Sequence, residues 1–248
     1  MKVTHLSLTK TNSTQLDLKN YIKEKAESKI NSDVNILVST SEQSDGFGRF
    51  GRRWDNYKNA LAFSFTLQPN KIKTLTSLEI AILISEFFKN KYEVKLSLKW
   101  PNDILNKNEE KCAGILMEFF NEDLLIVGVG INLFKSDEDE MLFQKKKYLT
   151  PSGYVFSSPA ISGEFKKEIP LEIYNYILEN RKESKQIIDE WNELSVHINR
   201  LVKIVDEVAE ETREEEGVFL GVGPSGEALL GVKKEIRSIF TGSLVLLS

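Results

Sequence analysis

The sequence predicts an α+β protein, a mixed sheet flanked by helices, followed by a small all-β module. Three observations predict it. Short strand-like runs occur at residues 3–7, 35–39, 61–67, 94–99, 111–119 and 124–133. Longer stretches of helical character fall at about 14–30, 75–88 and 164–195 without a regular strand–helix alternation. After Trp191 the pattern changes to five short strands parted by glycine-bearing turns, at 201–206, 217–222, 227–232, 236–240 and 243–247. The division expected is a main domain over 1–195 and a β module over 196–248.

Each element has a local reason. Residues 3–7 alternate apolar and polar, and Ser13 and Thr14 stand in N-cap position before the first helix. Asn35–Ser39 reads as a buried strand, and Leu61–Leu67 as another. Leu75–Phe88 carries its apolar residues at the spacing of a mostly buried helix. Val94–Lys99 ends in the turn sequence Trp100–Pro101–Asn102–Asp103. Lys111–Phe119 and Leu124–Leu133 read as a hairpin joined through Asn121–Glu122–Asp123, with Gly128 and Gly130 marking a bulge or a close backbone approach. Residues 134–160 show no period and read as a long loop. Pro170 interrupts the last helical stretch near its start.

Composition narrows the function classes. The chain has 248 residues, 41% of them hydrophobic and 28% charged, as an ordinary globular protein does. Cys112 is the single cysteine, so no internal disulfide is available. No apolar run approaches a membrane span, and the start lacks a signal-peptide core, so a cytoplasmic protein is expected. A net charge of −4 argues against nucleic-acid binding by the protein as a whole. The acidic stretches 137–140 and 210–216 read as solvated surface.

The loop Gln43–Trp54 concentrates the candidate chemistry. Gly46, Gly48 and Gly51 allow the backbone to bend tightly and present N–H groups, and Arg49, Arg52 and Arg53 add positive charge. Such a loop suits phosphate or carboxylate. No Gly-Lys-Ser/Thr follows, so it is not a P-loop, and arginines replace the apolar helix start that a dinucleotide fingerprint needs. Taken alone it also reads as an RNA-binding segment or a merely exposed loop. Lys99, Asn102 and Asp103 place a cation, an amide and a carboxylate on one turn, and Lys111 opens the strand that contains Gly114, where a flat ligand could lie on the backbone. His5 and His197 are too sparse for a metal cluster, and Cys112 reads as inert packing.

Together these segments resemble biotin protein ligases. The loop is similar to the family's Gly-Arg-Gly-Arg-x-Gly-Arg-x-Trp element, Lys99–Asp103 to its Lys-Trp-Pro-Asn-Asp, Lys111–Leu116 to its Lys-x-x-Gly-Ile-Leu, and Gly128–Asn132 to its Gly-x-Gly-Ile-Asn. Asn12–Gln15 resembles the N-terminal Ser-Thr-Asn/Gln element, and the segment from His197–Arg200 onward resembles the family's SH3-like C-terminal domain. The resemblance implies a biotin/lipoate ligase-like catalytic domain and a small SH3-like β-barrel. It implies an enzyme that activates biotin with ATP to biotinyl-5′-AMP, releasing pyrophosphate. The biotin then passes to a lysine of a biotin carboxyl carrier domain of acetyl-CoA carboxylase or a related carboxylase.

Site roles follow from the same resemblance. Lys111 bridges the biotin carboxyl group and the α-phosphate, Arg49 holds the carboxylate and the acyl-adenylate, and Arg52 faces the pyrophosphate side. Ser13, Thr14, Gln15, Gln43, Gly46, Phe47, Gly48 and Gly114 join Arg49 and Lys111 around biotin. Trp54 stacks on adenine, and Lys99, Asn102 and Asn132 serve the nucleotide. Mg²⁺ arrives with the ATP phosphates, and Asp103 either helps hold it or orients the incoming amine. Phe47 stands where the family has its first loop arginine, so that contact is expected to be made by backbone instead. With so few residues before the first ligand element, DNA binding is not expected; a homodimer is compatible with the family. A lipoate ligase or octanoyl transferase of the same fold is the nearest alternative.

Overall fold

A computed structural model of the chain describes residues 2–26, 35–54, 57–137, 139, 150–157, 165–208 and 211–247. In chain order the elements are β1 (Val3–Thr11), α1 (Thr14–Ala26), β2 (Asn35–Gln43), β3 (Ala60–Leu67), α2 (Thr76–Tyr92), β4 (Ser97–Lys99) and β5 (Asp103–Leu105). They continue with β6 (Lys111–Phe119), β7 (Leu125–Asn132), α3 (Phe165–Glu179), α4 (Ser184–Leu194), β8 (Leu201–Val208), β9 (Glu211–Val222), β10 (Ala228–Val232), β11 (Glu235–Ile239) and β12 (Ser243–Leu246). The α+β class expected from the sequence is the observed one. Much of the long loop expected over 134–160 lies outside the described residues.

The described chain forms two compact units that interleave along the sequence. The first is drawn from residues 1–69, 112–144 and 153–181. It holds five strands of the mixed sheet in the order β1-β2-β3-β7-β6. Only β1 and β2 pair in parallel, and α1 is the connection between them; β2–β3, β3–β7 and β6–β7 are antiparallel. Leu18 and Ile22 of α1 pack on Ile36, Val38 and Ile126, all essentially inaccessible. Tyr174 of α3 lies against Phe65, ring centroids 4.6 Å apart, and donates its hydroxyl to the Thr66 carbonyl at 2.6 Å. β3 is buried throughout, which is why its alternation of aromatic and small polar residues matters: both faces are covered, and the polar one must be hydrogen-bonded.

The second unit is drawn from residues 70–111, 145–152 and 182–248. Its antiparallel sheet has the order β11-β10-β9-β8-β12. Trp191 of α4 is buried with its ring 6.2 Å from that of Phe219 on β9. Lys182 joins α2 to α4 by pairing with Glu86 at 3.0 Å and Glu190 at 2.9 Å, while its N–H donates to the wholly buried Glu79. β4 and β5 form a short antiparallel hairpin in which Lys99 is the cross-strand partner of Asp103.

Three local differences from the sequence reading have physical reasons. α2 runs on to Tyr92 because Glu93, in the left-handed region at φ 57°, turns its N–H back to the Lys89 and Phe88 carbonyls; the strand expected from Val94 is therefore reduced to Ser97–Lys99. α3 continues through Pro170, since one lost backbone bond is outweighed by burial of Ile169, Ile173, Tyr174 and Ile177. The acidic run before Gly217 belongs to β9 and is laced across strands, Glu214 and Glu216 to Lys203 and Glu215 to Arg237.

Candidate active site

Within the first unit, the start of α1 meets residues of four strands, β2, β3, β6 and β7. Ser13, Thr14, Gln15 and Gln43 are all nearly inaccessible. The Gln43 Oε1 accepts from the Thr14 N–H at 2.9 Å and its hydroxyl at 3.3 Å. The same hydroxyl lies 2.9 Å from Ser64 Oγ on β3. Ser64 was not singled out from the sequence, although its position between Phe63 and Phe65 on an alternating strand puts it on the opposite face from the aromatic rings. Gln15 donates to Glu118 at 2.8 Å and lies over β7: a Cβ on Gly128 would come within 2.0 Å of its Oε1. The expected close approach at Gly128 is thus made by the Gln15 side chain. Every group named here except Glu118 is an uncharged donor or acceptor.

The glycine- and arginine-rich loop leaves β2 and closes on itself. Trp54 N–H donates to Gly46 O at 2.9 Å, Gly48 N–H to Arg52 O at 2.7 Å, and Phe47 forms an isolated bridge with Arg53. Phe47 is thereby fixed in the loop through its backbone. A Cβ on Gly46 would fall 2.4 Å from Gln43 Nε2, so a larger residue there would displace the amide that sits beside Thr14. At the tip Phe50 adopts φ 58°, an uncommon state for a residue with a side chain, and Gly51 follows at φ 68°. The half-exposed Phe50 ring carries both guanidinium groups, Arg49 at 4.9 Å and Arg52 at 5.7 Å from its centroid. Nothing in the sequence reading pointed to Phe50.

Trp54, at the end of the loop, rests against β7. A Cβ on Gly130 would lie 2.5 Å from the indole Cε2. Gly130 is also the register partner of Gly114 on β6, so two glycines face each other beside the indole. Asn132, two residues further on, donates from Nδ2 to Gly153 O at 3.1 Å; its Oδ1 is buried and accepts no hydrogen bond among the described residues.

In the second unit, Lys99 of β4 and Lys111 at the start of β6 form a tight group with Asp103 of β5. Lys99 Nζ donates to Asp103 Oδ2 at 2.9 Å, and Lys111 Nζ lies 2.6 Å from Asp103 Oδ1. The side chains of Lys99 and Asp103 are 8% and 12% exposed, and that of Lys111 is 30% exposed, so the last is the one that opens to solvent. Burial pushes the Asp103 carboxyl up, but Lys111 and then Lys99 beside it hold it well below the usual carboxylate range. Asn102 sits half-exposed in the turn between the strands. The Lys111 N–H donates to Pro151 O at 2.7 Å, which fixes the strand that carries it.

Each carboxylate oxygen of Asp103 thus faces one ammonium group. No group of three His, Cys, Asp or Glu side chains suited to a metal occurs among the described residues. Cys112 is buried and forms no disulfide. No helix among the described residues is long and apolar enough to cross a membrane.

An α+β fold that presents this loop, this hairpin and this pair of strands in this order defines a class, and comparison with known sequences agrees. The profile of the biotin/lipoate A/B protein ligase family matches residues 8–132, and the chain belongs to that family. Among its relatives is the bifunctional ligase/repressor BirA of Bacillus subtilis, 32% identical over 118 residues, a match covering 44% of this chain and 36% of that protein. BirA of Escherichia coli is 26% identical over 217 residues, covering 83% of this chain and 64% of its own. The chain thus spans between about a third and two thirds of the length of these curated relatives. Among solved structures, the biotin protein ligase of Aquifex aeolicus in complex with biotin and ATP aligns over 98% of both chains with a TM-score of 0.77 and 26% identity.

Proposed function

We propose that the chain is a biotin protein ligase that joins biotin to ATP and then to a carrier lysine. In the first step a carboxylate oxygen of biotin attacks the α-phosphorus of ATP. The bond from that phosphorus to the bridging oxygen breaks, and pyrophosphate leaves. In the second step the carrier amine attacks the acyl carbon of biotinyl-5′-AMP, loses a proton, and displaces AMP. Two anions must meet in the first step, so catalysis calls for cations already in place. The observation that carries the reading is the Asp103 carboxylate held between two lysines, one buried and one part-exposed: one negative charge against two positive ones leaves the cluster net positive and fixed in place.

The other groups support the same reading. Biotin's ureido ring is neutral and offers one acceptor and two donors, which the hydroxyls and amide of Ser13, Thr14, Gln43 and Ser64 can match. Asn132 has a spare buried acceptor suited to the exocyclic amine of adenine, and Trp54 beside it offers a π-surface. Arg49 and Arg52 would hold the carboxylate and the pyrophosphate side. Asp103 serves as the clamp of the two lysines, and Mg²⁺ enters with ATP as the partner of its phosphates. In this reading residues 1–195 constitute the catalytic part and 196–248 an SH3-like appendage, and the acceptor is a biotin carboxyl carrier domain.

The test is to incubate the chain with a biotin carboxyl carrier domain, ATP and biotin and to weigh the carrier. A mass gain of one biotinyl group that needs both small molecules is expected. A gain with lipoate or octanoate and none with biotin would overturn the reading in favour of the other branch of the family.

A further inference from the structure

Inside the second unit, the segment between α4 and β8 touches β4 and the turn between β5 and Lys111. Ser195 forms a parallel bridge with Leu98, the residue before Lys99. His197 is 4% exposed, its Nδ1 is buried without a hydrogen-bond partner among the described residues, and Lys99 and Arg200 are the cations that bear on it most. Three residues on, Arg200 Nη1 stands 2.8 Å from each carboxylate oxygen of Glu109.

Glu109 belongs to the turn that delivers the chain to Lys111. It lies in the left-handed region at φ 59°. The Asn106 side chain closes this turn, its Oδ1 accepting from the N–H groups of Asn108 and Glu110 and its Nδ2 donating to Glu110 at 2.9 Å. The bracing segment is itself fixed, since Asn199 N–H donates to Phe219 O at 2.8 Å and Phe219 N–H to Arg200 O at 3.0 Å. One short stretch of chain therefore grips the strand of Lys99 at one end and the turn before Lys111 at the other.

The Arg200–Glu109 pair is too exposed, at 37% and 41% of the side chains, to matter much for stability. Its position gives it another use. A displacement of about 1 Å in a catalytic group can cost ~10²-fold in rate, and Lys111 is the last residue of the arm that Arg200 holds.

We propose that residues 195–200 act as a brace that sets the spacing of Lys99 and Lys111 on Asp103, with Arg200 as its positioning residue. The proposal rests on the ligase reading for its kinetic consequences but not for its geometry. Arg200 and Glu109 touch no substrate; they act through the backbone of the 106–111 turn.

The test compares the full chain with Arg200→Met, Glu109→Gln, Arg200→Glu and the swap Arg200→Glu/Glu109→Arg by biotin-dependent exchange of pyrophosphate into ATP. In the single variants kcat falls ~10-fold or more with KM for biotin and ATP nearly unchanged, because orientation and not binding is lost. The swap recovers most of the loss. In parallel, acetylation of Lys111 by acetic anhydride, read by peptide mass mapping, becomes faster in Arg200→Met while that of the exposed Lys10 does not. A wild-type chain without exchange activity overturns the ligase reading alone, and the Lys111 labelling then decides the brace. Unchanged kcat or unchanged labelling in both Arg200→Met and Glu109→Gln overturns the brace, as does a swap no better than Arg200→Glu.

Discussion

The start of α1 and the β4–β5 hairpin are two polar sites built in opposite ways. At the start of α1, Thr14, Gln43 and Ser64 come from a helix and two strands and meet through neutral hydrogen bonds. At the hairpin, Lys99, Asp103 and Lys111 lie within a short stretch of sequence and meet through ion pairs. A neutral site can be fully buried at little cost once each donor and acceptor is matched. Buried charges need an opposite charge at close range, and the cost of leaving one unmatched is large. The neutral region is thus suited to recognising shape and hydrogen-bond pattern, and the charged one to neutralising anions as they react.

The sharpest way to break the contrast is to remove the central charge of the hairpin. Asp103→Asn leaves two ammonium groups without a counter-ion, one of them almost wholly buried. It should lower unfolding stability at neutral pH by about 3–5 kcal/mol in denaturant titrations. The folded carboxyl of Asp103 lies below its ordinary value of 3.8, so its contribution is present above that pH and lost as pH falls through the depressed value. The variant should therefore lose the part of the acid-limb dependence that Asp103 supplies.

Next in size, Lys111→Ala should keep the fold and slow adenylate formation ~10²–10³-fold, as loss of one cation at the developing charge does. Pyrophosphate exchange near the wild-type rate would refute its role. On the neutral side, Gly128→Ala forces Gln15 off β7, where the new Cβ would meet its Oε1. Overpacking of this kind costs about 1–3 kcal/mol, and the expected readout is a raised KM for biotin with kcat nearly kept. An effect confined to kcat would erase the distinction between the two regions.

The smallest effect concerns His197, whose imidazole is pushed down to about 4 by burial and by Lys99 and Arg200, with Glu109 opposing. The unfolded chain takes up a proton near 6.5 while the folded one does not. Stability therefore declines as pH falls from about 6.5 towards 4 and is unaffected by this group above that range. His197→Phe should remove this share of the decline, measured by unfolding at pH 7 and pH 5; an identical pH dependence in the variant would discard the assignment.

The hairpin was legible in the sequence because its members are neighbours. Lys99–Asp103 and Lys111 announce themselves as a strand, a turn and the next strand, and only the double ion pair on Asp103 had to be seen in space. The loop was legible as an anion-binding candidate from its glycines and arginines, yet the parking of Arg49 and Arg52 on Phe50 was not, since it depends on a left-handed backbone at a phenylalanine. Ser64 escaped because a serine on a buried strand carries no signal until Thr14 is brought against it. Arg200 escaped because its partner, Glu109, is about a hundred residues earlier.

By itself the sequence determined the class of fold, most of the element boundaries, the family and the loci of charge, since these follow from periodicity, turn chemistry and short motifs. Tertiary structure alone decided which polar atoms are matched and which stay open. Asn132 keeps a bare buried acceptor, Asp103 gives both oxygens to lysines, and Trp54 settles on Gly130. Hydrogen bonds and ion pairs act over a few ångströms, so their pairing is set only when distant segments have been packed together.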